Sequence, residues 1–125
     1  MKKYLFSALF LTLNAYAVEA INHLSGNYEC KGHEVDTHDA FTCQMTIKQT
    51  KETYASIASC SDGTSYRGTG IYDKTTNQLS TAFINLKNPK EIGISVALLK
   101  ADGSVDNRWT YFDKTTIAFT TCQKE

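Results

Sequence analysis

From residue 26 onward the chain alternates apolar and polar residues with a period of two, broken at short intervals by turn residues. This pattern predicts eight strands, over residues 26–31, 41–49, 54–60, 65–73, 78–86, 92–100, 105–112 and 116–123. Threonine, tyrosine and isoleucine recur in these runs, as pleated, half-buried surfaces favour. No segment carries a helical stripe. Eight short strands joined mainly by hairpins predict an all-β, eight-stranded antiparallel up-and-down barrel, whose closure removes exposed sheet edges. A two-sheet sandwich is the alternative. Gly68 and Gly70, alternating in one strand, allow curvature or close approach and favour the barrel.

Turn chemistry sets the expected registers. Asp62-Gly63 and Asp102-Gly103 are read as type I′ hairpin turns, in which both central residues take positive φ. A two-residue turn at Asp102-Gly103 would set Val96 opposite Trp109, Ile94 opposite Tyr111 and Leu98 opposite Asn107. The core face would then hold Ile92, Ile94, Val96 and Leu98 together with Trp109 and Tyr111. Gly93, Ser95 and Ala97 would face solvent. Asp62-Gly63 recurs as Asp102-Gly103, and Asp73-Lys74-Thr75-Thr76 as Asp113-Lys114-Thr115-Thr116, both at an offset of 40 residues. Few residues between them match, so the echo is read as convergent turn chemistry.

The amino terminus changes the picture of where such a domain would work. Lys2 and Lys3 precede an apolar run from Tyr4 to Leu13, and Ala15-Tyr16-Ala17 is a small-x-small cleavage site. Residues 1–17 are therefore expected to be a secretory signal peptide and residues 18–125 a single β-barrel domain in the periplasm or outside the cell. The apolar run is short of the ~20 residues a spanning helix needs, so no stable membrane anchor is expected. The mature chain would carry 11 basic and 13 acidic residues, with lysines scattered rather than clustered. That balance argues against nucleic acid as a partner. A monomer is expected.

In an exported chain of this size the four cysteines, Cys30, Cys43, Cys60 and Cys122, read as two disulfides. If Lys51-Glu52 is a two-residue turn, Cys43 faces Cys60. Cys30 in the first strand and Cys122 in the last, neighbours in a closed barrel, then pair. A one-residue slip at that turn would favour Cys30–Cys43 with Cys60–Cys122 instead. The stretch CKGHEVDTHDAFTC, residues 30–43, also raises zinc, but C-x2-H-x4-H-x4-C is not a standard finger spacing and an oxidising compartment disfavours thiolate ligands. Without thiolates, His33, Glu34, Asp36, His38 and Asp39 could hold a divalent cation; a solvated polar loop is the expectation, with no metal and no cofactor. His23, ahead of the first strand, is expected to be exposed.

No nucleophile elbow, phosphate loop or dinucleotide fingerprint is present, and the histidines at one end of the chain lack an identifiable partner. The expectation is a non-enzymatic binding protein. Tyr54, Tyr66 and Tyr72, with Ser61, are the candidate binding residues; Trp109 and Tyr111 could join them but are assigned to packing. A cavity above about 300 Å³ would favour a small ligand, and a filled barrel would favour recognition by the surface.

Gly26-Asn27-Tyr28-Glu29-Cys30-Lys31-Gly32 and the terminal Cys122 resemble the ends of small exported bacterial barrel proteins of the calycin plan, the lipocalin and avidin group. Where calycins carry Gly-x-Trp, this chain has Gly26-Asn27-Tyr28, and Arg108 sits one strand before the usual arginine. Tyr28-Glu29-Cys30, Thr121-Cys122-Gln123 and, loosely, Ser61-Asp62-Gly63-Thr64-Ser65-Tyr66 also resemble periplasmic inhibitors of C-type lysozyme. The first resemblance implies a small ligand in a barrel. The second implies a protein partner, a lysozyme-type hydrolase, met by an exposed loop.

Overall fold

The computed structural model describes residues 24–34 and 36–125; residues 1–17, expected to be a signal peptide, and His23 lie outside the described residues. Eight strands follow in order: β1 (Gly26–His33), β2 (Ala40–Thr50), β3 (Thr53–Cys60), β4 (Ser65–Asp73), β5 (Gln78–Asn85), β6 (Ile92–Leu99), β7 (Val105–Tyr111) and β8 (Ala118–Lys124). Each pairs antiparallel with the next, and β1 pairs with β8, so the sheet closes into an up-and-down barrel. The sandwich alternative is thereby set aside. This architecture is consistent with the calycin plan.

In an up-and-down barrel alternate hairpins share an end. The end carrying the β2–β3, β4–β5 and β6–β7 turns is closed: Leu24, Tyr28, Ile47, Tyr54, Leu79 and Val105 are buried there. The Tyr28 hydroxyl donates to the Leu24 carbonyl at 2.6 Å, tying the incoming chain across this end. The other end carries the β1–β2, β3–β4, β5–β6 and β7–β8 loops.

Lys51-Glu52 is a two-residue turn, with Thr50 opposite Thr53 and Lys51 at φ 60°. Cys43 therefore lies opposite Cys60, and Cys30 lies opposite Cys122. The disulfides are Cys30–Cys122 and Cys43–Cys60, and no cysteine is free. Cys30 is also opposite Cys43, so the four sulfurs form one inward-facing row across β8, β1, β2 and β3. Two disulfides in a small domain fit an oxidising compartment.

The Asp-Gly hairpins depart from expectation. Only Gly63 and Gly103 take positive φ, both at 86°, while Asp62 and Asp102 do not. A type I′ turn needs both. Cys60 N–H instead bonds to Thr64 O, and Lys100 N–H to Ser104 O, enclosing three-residue loops with glycine at the left-handed position. Asp62 Oδ1 accepts from the Thr64 backbone N–H at 3.0 Å and hydroxyl at 2.6 Å, and Asp102 does the same with Ser104 at 2.9 and 2.6 Å. The first echo is thus one geometry used twice. The second is not: Asp113 takes φ 65°, whereas in the earlier copy the left-handed residue is Asn77.

The extra loop residue moves the β6–β7 register by one. Trp109 faces Ser95 and Tyr111 faces Gly93, rather than Val96 and Ile94. Leu98 faces Asp106 and Ala97 faces Asn107. A one-residue slip exchanges the faces of a strand. Ile92 and Ile94 consequently point outward, 48% and 63% exposed, while Gly93, Ser95 and Ala97 line the interior. Trp109 and Tyr111 remain inward. The inversion has a packing cause. A Cβ on Gly93 would lie 2.3 Å from the Phe83 ring and 2.6 Å from the Thr110 carbonyl oxygen, so only glycine admits Phe83 to the interior.

Candidate functional site

Strand parity decides what the open end of the barrel contains. The inward aromatic positions of β2, β4, β5 and β7 towards that end are Phe41, Tyr66, Phe83, Trp109 and Tyr111. Their rings form one edge-to-face cluster with centroid separations of 5.5 to 6.4 Å. Such contacts hold large rings in fixed relative positions. Two hydrogen bonds add to this. The Trp109 indole N–H donates to Thr120 Oγ1 at 2.8 Å, and the Tyr66 and Tyr111 hydroxyls lie 2.8 Å apart. One tyrosine donates to the other, and the accepting hydroxyl keeps its own hydrogen for a further partner.

Small residues leave room beside these rings. Ser56, Ala58, Ser95 and Ala97 face inward opposite the bulky side chains, and a cavity of about 120 Å³ remains. Its walls are largely apolar, with the sulfurs of both disulfides among them. This lies below the roughly 300 Å³ of drug-sized sites, yet holds about four waters at liquid density. The barrel is therefore neither filled solid nor widely hollow. One polar wall atom stands out: Asn107 Oδ1 is buried and has no hydrogen-bond partner among the described residues. Buried acceptors are nearly always satisfied, by protein, water or ligand.

Glu34, at the start of the β1–β2 loop, and Asp62, in the β3–β4 loop, meet where the cavity opens. Burial, then a hydrogen bond from Glu34 to Asp62 and the negative charges of Asp62, Asp39 and Asp36, raise the Glu34 carboxyl above the usual range. Burial pulls Asp62 upward too, but the hydrogen bonds from Thr64 outweigh it and leave Asp62 lowered. Burial pushes the Tyr111 hydroxyl strongly up, with the Tyr66 hydroxyl and the Glu91 and Glu34 carboxylates adding to it, so Tyr111 stays neutral. Among the described residues the ion pair is Lys100–Asp106, at the closed end; no lysine or arginine nitrogen lies within 4.0 Å of a Glu34 or Asp62 carboxylate oxygen, although Lys87 Nζ reaches the Asp62-Gly63 turn.

The residues singled out in the sequence fall in three places. Tyr66 lines the cavity. Tyr54 and Tyr72 pack edge to face at the closed end, 5.9 Å between centroids, and Tyr72 donates to Asn77 Oδ1. Ser61 is exposed beside the mouth, where its hydroxyl accepts from the Thr42 N–H; with His33 it borders a separate shallow hollow on the outer wall. His33, Asp36, His38 and Asp39 are exposed and are not drawn together: among the described residues no three His, Cys, Asp or Glu side chains converge as a metal site would require. Phe41, Phe83 and Asn107 were not anticipated. No protein-family model matches this chain, and no curated protein matches it.

Proposed function

We propose that this chain is an exported, non-catalytic binding protein of the periplasm or cell exterior that takes a small ligand, or the end group of one, into its barrel. One observation carries the reading: an open cavity of about 120 Å³, walled by a fixed aromatic cluster, remains in a barrel otherwise packed shut. Apolar concavities with a few convergent polar groups are the usual form of small-ligand sites. The calycin-like ends of the sequence support the same reading. The alternative, a lysozyme-type inhibitor using the Ser61–Tyr66 loop, fits less well, because Tyr66 points into the barrel and bonds to Tyr111.

The test uses Trp109, the single tryptophan of the chain and part of the cavity wall. Small-molecule fractions from bacterial envelopes are titrated while its emission is followed. A saturable change in the wild type, absent in Ala58→Leu with melting preserved, supports the reading. An identical response in Ala58→Leu removes it, and lysozyme inhibition lost on changing Ser61 promotes the alternative.

A further inference from the structure

Resting on the reading of the barrel cavity as a ligand site, we propose that the ligand is a small organic cation: an alkyl- or arylammonium group received by Glu34 and Asp62 at the mouth and by the aromatic wall below. Four observations point to charge of that sign.

The first is the lining itself. It contains no lysine, arginine or histidine, and its two charged groups are both carboxylates. An anion would enter without any counter-charge, and its desolvation would go uncompensated. A cation meets two carboxylates and no fixed charge of its own sign.

The second is the arrangement of those carboxylates. Glu34 and Asp62 come from different hairpins and both line the mouth of one cavity, and among the described residues neither carboxylate has a lysine or arginine ion-pair partner. Nothing in the packing of the barrel requires this juxtaposition. Asp62 already caps its own loop through Thr64, and Glu34 could turn to water. Like charges held together are unfavourable, and a bound cation between them supplies the missing partner. The surroundings extend the field. The four loops at this end contain Glu34, Asp36, Asp39, Asp62, Glu91 and Asp113 against Lys87, Lys90 and Lys114. An excess of negative charge around a low-dielectric mouth concentrates cations there.

The third is the aromatic wall. Trp109, Tyr111, Tyr66 and Phe83 present π-surfaces within one small enclosure. Aromatic enclosures attract ammonium groups through the ring quadrupole, tryptophan most strongly, and they suit alkylated ammonium because it sheds water readily. The fourth is Asn107 Oδ1, two residues before Trp109 on the same face of β7, a buried acceptor awaiting a donor. An ammonium N–H supplies one, as a hydroxyl would; a carboxylate or a hydrocarbon does not.

The experiment compares probes matched in shape and differing in charge. Butylammonium is set against butanol and butyrate, and tetramethylammonium against tert-butanol, by calorimetry and by Trp109 emission. Wild type, Glu34→Gln, Asp62→Asn and Ala58→Leu are compared, each checked by melting. The expected result is that each ammonium binds about tenfold tighter than its alcohol. That preference should shrink at least threefold in Glu34→Gln, weaken with added salt, and vanish in Ala58→Leu. Equal binding of alcohol and ammonium overturns the cation assignment and leaves the cavity reading standing. Tighter binding of butyrate also overturns it. A preference that survives unchanged in both carboxylate variants overturns the role of the mouth. Absence of binding by every probe, with envelope fractions also giving no Trp109 response, removes the cavity reading and the proposal together.

Discussion

Gly93 offers the sharpest test of the barrel interior. In the observed register it faces inward, and a methyl group there would sit 2.3 and 2.7 Å from two atoms of the Phe83 ring and 2.6 Å from the Thr110 carbonyl oxygen. The ring could tilt into the cavity, but the carbonyl belongs to the neighbouring strand and cannot move without breaking the ladder. Forced overpacking of this kind costs about 1–3 kcal/mol, and a backbone obstruction puts Gly93→Ala at the upper end. For a domain of this size 1 kcal/mol shifts the melting temperature by roughly 4–8 °C, so a fall of about 10–20 °C is expected. The complementary change is Ile94→Thr. Ile94 is 63% exposed, so its loss should alter stability by no more than about 0.5 kcal/mol. In the register a type I′ turn would impose, both signs change. Gly93 would lie in solvent and alanine would stabilise the strand by about 0.5–1 kcal/mol. Ile94 would be core, and its replacement would cost several kcal/mol. Thermal and urea melts of the two variants decide between the registers. A neutral or stabilising Gly93→Ala with a damaging Ile94→Thr would refute the account of β6, and with it the placement of the cavity.

Three further outcomes follow from the same geometry. Replacing Cys30 and Cys122 together should destabilise by about 4–5 kcal/mol and replacing Cys43 and Cys60 by about 3 kcal/mol, because the bridged residues are 92 and 17 apart in sequence; the reverse order in urea midpoints would contradict the loop-closure argument. Thr120→Val removes the acceptor of the Trp109 indole N–H and should cost about 1–3 kcal/mol with a shift in Trp109 emission; unchanged emission would count against that bond. Glu34 titrates above the ordinary carboxyl range in the folded protein, so the stability it contributes is present below its unfolded pKa and is lost as pH rises through the folded value. Glu34→Gln should therefore match the wild type near pH 3 and exceed it by about 0.5 kcal/mol at pH 7, after screening; a less stable variant at pH 7 would contradict the sign.

The strands and the disulfides could be read before the fold was known, because both depend on local periodicity and one two-residue turn. The eight runs are bounded to within two residues by alternation alone. The β6 face could not be read in the same way. Asp-Gly serves both type I′ turns and three-residue loops that place glycine in the left-handed region, and the two differ by one residue of register. A local signal was present: Thr64 and Ser104 follow the two Asp-Gly pairs and supply the hydroxyl and N–H that hold Asp62 and Asp102 in the second geometry. Membership of the cavity is hard to read for a related reason. Tyrosines in strands, such as Tyr54, Tyr66 and Tyr72, look alike in the sequence, whereas a place in the cavity wall follows from parity and from distance to the open end. Val105 lies opposite the inward Cys122, so counting by twos along β7 places Asn107, Trp109 and Tyr111 together inside. The proximity of Glu34 and Asp62 follows from the up-and-down order and the β2–β3 register, which put the β1–β2 and β3–β4 loops side by side at one end.

The row of four cysteines has a consequence for how the molecule matures. Among four thiols side by side, 122, 30, 43 and 60, only one matching of neighbours uses them all. The competing Cys30–Cys43 bond joins residues 13 apart, closer than either native pair, and it matches the native alignment of β1 with β2. Short-range closure favours it early, before β8 has been made. Once formed, it strands Cys60 and Cys122 with two strands between them. Escape requires a thiolate attack on Cys30 or Cys43 by one of the stranded pair or by an outside dithiol. Wherever Cys30–Cys43 closes first, the native row is reached by exchange along adjacent sulfurs, and oxidative refolding should then be faster with a shuffling thiol present than with an oxidant alone.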